Sequence, residues 1–294
     1  MVRIKDEGGM SRPLEVFTFK SVVEKSELLK ARFLQRGWKI KPTSAMGQLF
    51  NRVKRFSDQW EKDRAAVTRE DTVAAGYVHR IVEAVLGVID LPEADGILHK
   101  IHRNSFDLGQ ITQSTGKDLF WELELFHRLA LQGHTPQLSE PDLVVDFDFG
   151  KYSIACKKVY SLNQLSRNLR KGAKQIKSSG LPGMVALNID DQCVDKYISG
   201  ARTTDDILAK ASQVCREFNE SHKSVWLPMI LDEHFDAVMI CVHLSGAGRD
   251  SGLAHMNCSY CMVSTNDKGP IGHSLRLAAV RRSFESIDSR IRKE

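Results

Sequence analysis

The segment from Glu122 to Lys158 concentrates the residues whose types and spacing could do chemistry. Glu122 and Glu124 lie in a helical pattern whose apolar positions nearly surround the helix. A carboxylate on a buried helix needs a cation or hydrogen-bond donors. Asp142 and Lys157 follow in two patterns typical of strands. The segment therefore predicts a place where carboxylates and cations meet.

Two strands of a hairpin are expected to position Asp142 and Lys157. Residues 142–148 and 152–159 alternate apolar and polar positions around Phe149-Gly150, as in a hairpin with one buried face. A two-residue loop at Phe149-Gly150 places Asp142 opposite Lys157 and Val144 opposite Ala155. The predicted core face holds Leu143, Val145, Phe147, Ile154 and Cys156, and the other face holds Asp142, Asp146, Asp148, Ser153, Ala155 and Lys157.

A helix is predicted on either side of this hairpin. Thr115 to Asp118 reads as a capping box that opens a buried helix ending at Gly133. Ser161 to Gln164 reads as a second capping box, opening a helix through about Ser179. The second helix is basic, and its cations are candidates for phosphate contacts. These cations are Arg167, Arg170, Lys171, Lys174 and Lys177.

This order of features resembles the PD-(D/E)XK nuclease superfamily, with the best agreement over residues 115–190. The features are a helix bearing Glu122, Pro141-Asp142 at a strand start, a second strand ending in Lys157, and a basic helix. The resemblance implies an α/β, restriction-endonuclease-like mixed sheet flanked by helices, and hydrolysis of phosphodiester bonds. It also implies that Gln175 lies beside the active site.

The resemblance further implies a Mg²⁺ or Mn²⁺ cofactor. Magnesium prefers oxygen ligands, usually one or two carboxylates together with water and substrate phosphate. Asp142, Glu122 and the main-chain carbonyl of Cys156 are the implied ligands. The metal would polarise the phosphate and activate water, while Lys157 would orient that water and offset charge on the phosphate.

Ala155 departs from the superfamily pattern, which has an acid two residues before the lysine. Either the natural protein has Glu or Asp here and this chain carries an inactivating substitution, or the natural protein is a degenerate nuclease. We favour the first interpretation because Glu122, Asp142 and Lys157 are all retained. In a third interpretation Asp146 reaches the metal from the neighbouring strand.

Composition limits the other classes of protein. The chain has 294 residues, 42% hydrophobic and 27% charged, which suffices for a full core. The formal charge of +5 permits a nucleic-acid partner without requiring one. No segment has the apolar length of a membrane helix or signal peptide, so we expect a cytoplasmic protein. Cys258 and Cys261 have zinc-knuckle spacing, but no second pair follows them.

Two structural parts are predicted. Residues 1–114 read as an α-helical domain with helices near 19–36, 44–64, 70–90 and 93–103, and residues 115–294 read as the nuclease-like domain. In the second part, 182–190 reads as a central strand and 237–244 and 256–264 as further strands. Helices are predicted near 203–220, 221–233 and from about Ser274, and the glycine-rich loop 245–252 reads as a turn.

The function expected from these features is metal-dependent endonuclease activity, most simply on DNA. An added helical domain resembles prokaryotic restriction or antiphage effectors, for which a homo-oligomer or a partner protein of a defence system is expected. The alternative is a non-catalytic nucleic-acid-binding or assembly module with a degenerate nuclease fold. That module would show salt-sensitive binding without cleavage.

Overall fold

The chain folds into one mixed β-sheet with helices on both faces. The structure, a computed structural model, describes residues 9–11, 15–63, 68–193, 195–198, 204–246, 255–265 and 275–280. Its strands are β1 (Gly9–Ser11), β2 (Glu15–Phe17), β3 (Pro136–Ser139), β4 (Asp142–Phe147), β5 (Gly150–Lys158), β6 (Gly183–Asn188), β7 (Tyr197–Ile198), β8 (Ala237–Gly246) and β9 (His255–Ser264). This arrangement confirms the coarse α/β prediction.

Seven α-helices longer than two turns lie within the described ranges. They are α1 (Phe19–Gln35), α2 (Ala45–Trp60), α3 (Arg69–Leu86), α4 (Asp95–Arg103), α5 (Thr115–Leu131), α6 (Leu165–Ser179) and α7 (Thr204–Leu231). Residues 275–280 are also helical. The four helices predicted before residue 114 are confirmed. Thr18 and Thr68 begin α1 and α3 with reciprocal capping boxes, which satisfy backbone N–H groups that have no partner inside the helix.

The sheet is parallel at its centre and antiparallel at its margins. The main order is β1-β9-β8-β6-β5-β4-β3, with β2 paired to β9 and β7 paired to β8. Strand β6 runs parallel to both β5 and β8, and every residue of it is buried. The apolar sequence at 183–188 is therefore a central strand covered on both faces, as predicted.

Each face of the sheet has its own hydrophobic cluster. The first cluster joins α1 to α5 with the predicted core face of the hairpin, including Leu143, Val145 and Ile154. The second lies beneath α6 and α7 and includes Ala155 and Trp226. Helices from both sides of residue 114 share the first cluster. The division of the chain at that residue stays a prediction.

Two predictions about helix boundaries were wrong. Residues 204–231 form the single helix α7, with Pro228 inside it, instead of two helices. Pro228 lies near the C-terminal end, where a missing N–H donor removes only one intrahelical bond. Neither Ser161 nor Thr115 makes the predicted side-chain cap, because a short 3₁₀ turn precedes α6 and Ser114 is the residue before α5.

Some predictions fall outside the described residues. Residues 247–254, most of the glycine-rich loop, and 281–294, most of the predicted C-terminal helix, are among them. The side chains of Cys258 and Cys261 also lie outside the described part, although β9 is a strand as predicted. Within the described ranges, no helix has the length and apolar character needed to cross a membrane.

Candidate functional site

The register of the β4–β5 hairpin differs from the predicted register by two residues. Phe147 pairs with Gly150 and Leu143 with Ile154, so the loop is Asp148-Phe149. Gly150 has φ of 110°, a conformation that favours glycine, and it begins β5 instead of closing the loop. A shift of two residues leaves each side chain on its predicted face. Continuing the observed register by one step puts Asp142 opposite Ala155, and not opposite Lys157.

Asp142 lies at the start of β4, and its carboxylate accepts three hydrogen bonds. Its Oδ2 atom accepts hydrogen bonds from the backbone N–H of Cys156 (2.6 Å) and from Nζ of Lys157 (2.9 Å). Its Oδ1 atom accepts a longer hydrogen bond from Nε2 of Gln175 (3.3 Å). The same Nε2 atom donates to the carbonyl of Pro141 at 2.9 Å. Strand β5 and helix α6 thus hold this carboxylate in one orientation.

A cavity of about 460 Å³ opens at Asp142 between α5, the hairpin and α6. Its volume lies within the range of ligand pockets. The predicted residues that line it are Glu122, Asp142, Cys156, Lys157, Lys171, Lys174 and Gln175. The predicted residues that do not line it are Ala155, Arg167, Arg170 and Lys177. The structure therefore brings most of the predicted site residues together.

Three carboxyl groups in this cavity have raised pKa values. Burial, with a further contribution from the charge of Asp142, raises the pKa of Glu122 to about 8. Burial also raises the pKa of Asp142, while Lys157 partly opposes this effect. Burial raises the pKa of Asp118, one helical turn before Glu122. Carboxyl groups with raised pKa values in a cavity are typical of functional sites. A bound cation would stabilise their charged forms and so offset the cost of burial.

Asp118 and Tyr160 belong to this cavity but were not predicted as site residues. The Tyr160 hydroxyl donates to Oδ1 of Asp118 at 2.9 Å, which orients this carboxyl group. Asp118 lies four residues before Glu122 and so on the same helix face. That spacing is the signal that would have identified it.

The ammonium group of Lys157 lies between two of the predicted metal ligands. Nζ donates to Oδ2 of Asp142 at 2.9 Å and to the carbonyl oxygen of Cys156 at 2.7 Å. These acceptors therefore already hold one positive charge. Oδ2 of Asp142 accepts two hydrogen bonds, but its Oδ1 atom accepts only the longer one from Gln175 and keeps a lone pair for a hard cation.

The carboxylates alone would give a metal only a sparse set of ligands. Within the described ranges, no group of three or more His, Cys, Asp or Glu side chains is arranged to hold a metal ion. Magnesium commonly uses one or two protein carboxylates and completes its octahedron with water and phosphate. Asp142 and Glu122 meet that smaller requirement, so the residues present fit Mg²⁺.

Ala155 is fully buried in the second hydrophobic cluster. Gly172 of α6 lies directly over it: a Cβ atom at Gly172 would come within 3.4 Å of the Cβ of Ala155 and 2.9 Å of Val185. The side chain of a Glu or Asp at position 155 would extend from this apolar contact with α6. Burial there would disfavour the charged form of its carboxyl group. Both interpretations of Ala155 stay predictions.

Asp146 does not reach the cavity. It is exposed on β4, four residues after Asp142, which corresponds to about 13 Å along a strand. The interpretation in which Asp146 replaces the missing acid is therefore wrong for this arrangement.

Glu124, the other predicted carboxylate of α5, has a different environment from Glu122. It is held by Arg80 of α3 through two hydrogen bonds of 2.7 and 2.8 Å. Arg128 donates to it at 3.1 Å, and Nε2 of His243 lies 3.2 Å away. Burial opposes the charged form, but these groups hold the pKa of Glu124 well below its ordinary value. This confirms the expectation that a buried carboxylate is paired.

Asp190 completes this buried cluster, which joins α3, α5 and the sheet. Its carboxylate lies 2.9 Å from Nη2 of Arg80 and 2.8 Å from Nδ1 of His243. Arg80 and His243 were not predicted to be buried, because their partners are distant in sequence. Arg80, Glu124, Asp190 and His243 do not line the cavity, and they form a structural link between elements.

The cations of α6 have no acidic partner within the described ranges. The helix contains no Asp or Glu, and no ion pair joins it to another element there. Elsewhere, partly exposed cations such as Lys25, Arg32 and Lys223 pair with carboxylates. The α6 helix is therefore a locally uncompensated positive surface next to the cavity.

The fold and site together define an α/β protein in which a mixed, helix-flanked sheet carries a cavity lined by carboxyl groups and lysines beside a basic helix. Comparison with protein-family models, with curated proteins and with solved structures found no match.

Proposed function

We propose that this chain has a restriction-endonuclease-like fold and that its cavity is a metal-dependent phosphodiesterase site acting on DNA. The convergence of Asp142, Glu122 and Lys157 in one cavity beside the uncompensated cations of α6 is the observation that supports the proposal most. Carboxylates at such a site bind a hard cation, and cations around it bind phosphate. A prokaryotic restriction or antiphage setting agrees with this chemistry.

Each residue has a defined role in this proposal. Asp142 and Glu122 would hold Mg²⁺, and the carbonyl oxygen of Cys156 would be a further ligand beside them. When bound, the metal supplies Lewis-acid polarisation of the phosphate and an activated water. Lys157 offsets the negative charge that develops on the phosphate, and Gln175 keeps Asp142 in position through its amide N–H.

Cleavage of plasmid and single-stranded DNA with Mg²⁺ or Mn²⁺ tests the proposal. We expect little or no cleavage by the chain as written, because the acid beside Asp142 is absent. The Ala155→Glu variant is expected to cleave, since it adds a carboxylate next to Asp142. Adding Lys157→Ala to that variant is expected to lower the rate by about 10²–10³-fold, as for other groups that stabilise transition-state charge.

Ala155→Gln is the matched control for this experiment. It adds nearly the same volume under Gly172 without a charge, and we expect it to fold and to stay inactive. Thermal unfolding of each variant separates a lost fold from a lost site. Absence of cleavage by a folded Ala155→Glu variant, on RNA as well as DNA, would contradict the proposal.

Metal binding itself has a signature that is independent of cleavage. Because the pKa of Glu122 is about 8, a cation that binds its charged form must displace a proton near neutral pH. We expect Mn²⁺ titrations at pH 7 to release protons, measured as a heat that varies with the ionisation enthalpy of the buffer. The Glu122→Gln variant should lose that dependence. Binding heats that are identical in all buffers would argue against Glu122 as a ligand.

A second candidate is a non-catalytic nucleic-acid-binding or assembly module. The burial of Ala155 in an apolar cluster and the ammonium of Lys157 between the proposed ligands favour it. This candidate predicts binding that weakens steeply with salt, and no cleavage whichever residue stands at position 155.

A further inference from the structure

A second cavity, of about 550 Å³, lies between α6 and the C-terminal end of α7. Three cations of α6, Arg170, Lys174 and Lys177, line one side, and the exposed His234 lies opposite. Positions 170, 174 and 177 are spaced by four and three residues, so these side chains share one face of the helix. None of the three has an acidic partner in the part of the chain that the structure describes. This cavity, the α6–α7 cleft, therefore has a positive rim.

The base of the α6–α7 cleft is apolar. Ala173 contributes from α6, and Val225, Pro228 and Met229 contribute from α7. Val225 and Met229 are half-buried, and Pro228 is exposed. Methionine is unbranched and polarisable and adapts to flat or irregular ligand surfaces. An apolar base with cations on one side suits a ligand with both an apolar ring and phosphate groups.

Lys174 connects the α6–α7 cleft with the candidate active site. Its side chain lines both cavities, whereas Lys171 lines only the active-site cavity and Arg170 lines only the cleft. The two cavities thus flank the same helix, whose diameter with side chains is about 10–12 Å. A chain of phosphates crossing α6 at Lys174 would enter both.

We propose that the α6–α7 cleft is a second nucleotide subsite for the strand held in the candidate active site. A base rests on Val225, Pro228 and Met229, and the flanking phosphates contact Arg170 and Lys177. The choice of nucleic acid as the ligand of this subsite rests on the proposed function. The subsite would make the protein prefer strands long enough to span α6, with contacts that carry little sequence information.

Binding of single-stranded DNA in EDTA tests this subsite without requiring cleavage. Fluorescence anisotropy would compare a labelled thymidine dinucleotide with a labelled octanucleotide at several salt concentrations. We expect the octanucleotide to bind several-fold more tightly. Arg170→Ala should remove part of this difference in affinity. It should also lower the magnitude of the slope of the logarithm of the binding constant against the logarithm of salt concentration by about 0.7 for the octanucleotide, the value for one phosphate contact of a single strand.

Lys171→Ala is the matched control, because Lys171 is the exposed neighbour of Arg170 and faces only the active-site cavity. We expect it to weaken the dinucleotide and the octanucleotide to the same extent. On α7, Met229→Glu should abolish the length-dependent gain, while Met229→Leu, which keeps the apolar base, should retain it. Thermal unfolding would confirm that each variant is folded.

The outcomes separate the subsite from the proposed function. Length-dependent binding that needs Arg170 and Met229 supports the subsite, even if no variant cleaves DNA. Equal binding of both probes, or an octanucleotide gain that survives Met229→Glu and Arg170→Ala, would overturn it even if Ala155→Glu cleaves. Tighter binding of a polyglutamate peptide than of the octanucleotide would also overturn the proposed subsite.

Discussion

Replacing Arg80 with methionine is expected to lower the free energy of unfolding by about 3–5 kcal/mol, the range for removing one partner of a buried ion pair. The Arg80 side chain is 5% exposed and the Glu124 side chain 4% exposed. The substitution removes both hydrogen bonds to Glu124 and the contact with Asp190. Two carboxylates would then be left buried with fewer compensating charges.

The position of Arg80 makes this effect large. Arg80 belongs to α3, Glu124 to α5, and Asp190 follows β6, so one guanidinium links the N-terminal helices to the sheet. Burial opposes its charge, but the two carboxylates raise the pKa of Arg80 above its ordinary value. An Arg80→Lys variant keeps the charge without the planar fork, and we expect an intermediate loss of stability.

An exposed ion pair is the control for Arg80. Arg32 of α1 pairs with Asp90, which lies in the turn after α3, but those side chains are 35% and 76% exposed. Arg32→Met is therefore expected to change the free energy of unfolding by less than about 1 kcal/mol. Urea unfolding at neutral pH would measure both variants. An Arg80→Met variant as stable as the Arg32→Met variant would contradict the structural role of the cluster.

Replacing Glu122 with glutamine is expected to stabilise the protein at alkaline pH by up to about 5 kcal/mol, the value that corresponds to its pKa shift. The pKa of Glu122 in the folded protein is about 8, above the ordinary value of 4.5. Between these pH values the folded protein retains a proton that the unfolded chain has released. The stability contributed by this group is therefore present below about pH 4.5 and is lost as the pH rises through about 8.

Glutamine imitates the protonated carboxyl group and does not ionise. The stability of Glu122→Gln should match that of the parent near pH 4 and exceed it increasingly up to pH 9, measured by urea unfolding across that range. Asp146→Asn, at an exposed position on β4, should follow the parent curve at each pH. Parallel curves for the parent and Glu122→Gln would show that Glu122 is charged in the folded protein.

Much of the architecture was predictable from the sequence, because the elements have strong local signals. Thr68 and Asp71 form a capping box at the start of α3, and the apolar positions of that helix recur at helical spacing. The sequence at 183–188 is continuously apolar, which indicates a strand covered on both faces. In the hairpin, the period of two assigned each side chain to its face even though the register differed by two residues.

The candidate site was predictable in part. Asp142, Glu122 and Lys157 were identified from residue type and order, and the structure brings them into one cavity. Asp118 was missed because it was read as part of a capping box, although its spacing of four residues from Glu122 places both on one helix face. The environment of Glu124 was expected only in outline, because Arg80 and Asp190 lie far from it in sequence.

By itself, the sequence determined most of the longer helices and strands, the faces of the hairpin and the group of acids and cations near residues 122–177, since these depend on neighbours within a few positions. The tertiary structure alone decided that Ala155 is covered by Gly172 and that α6 borders two cavities. Those features depend on how α6 and α7 pack on the sheet. Packing joins residues that no local pattern relates, so only the folded chain reveals them.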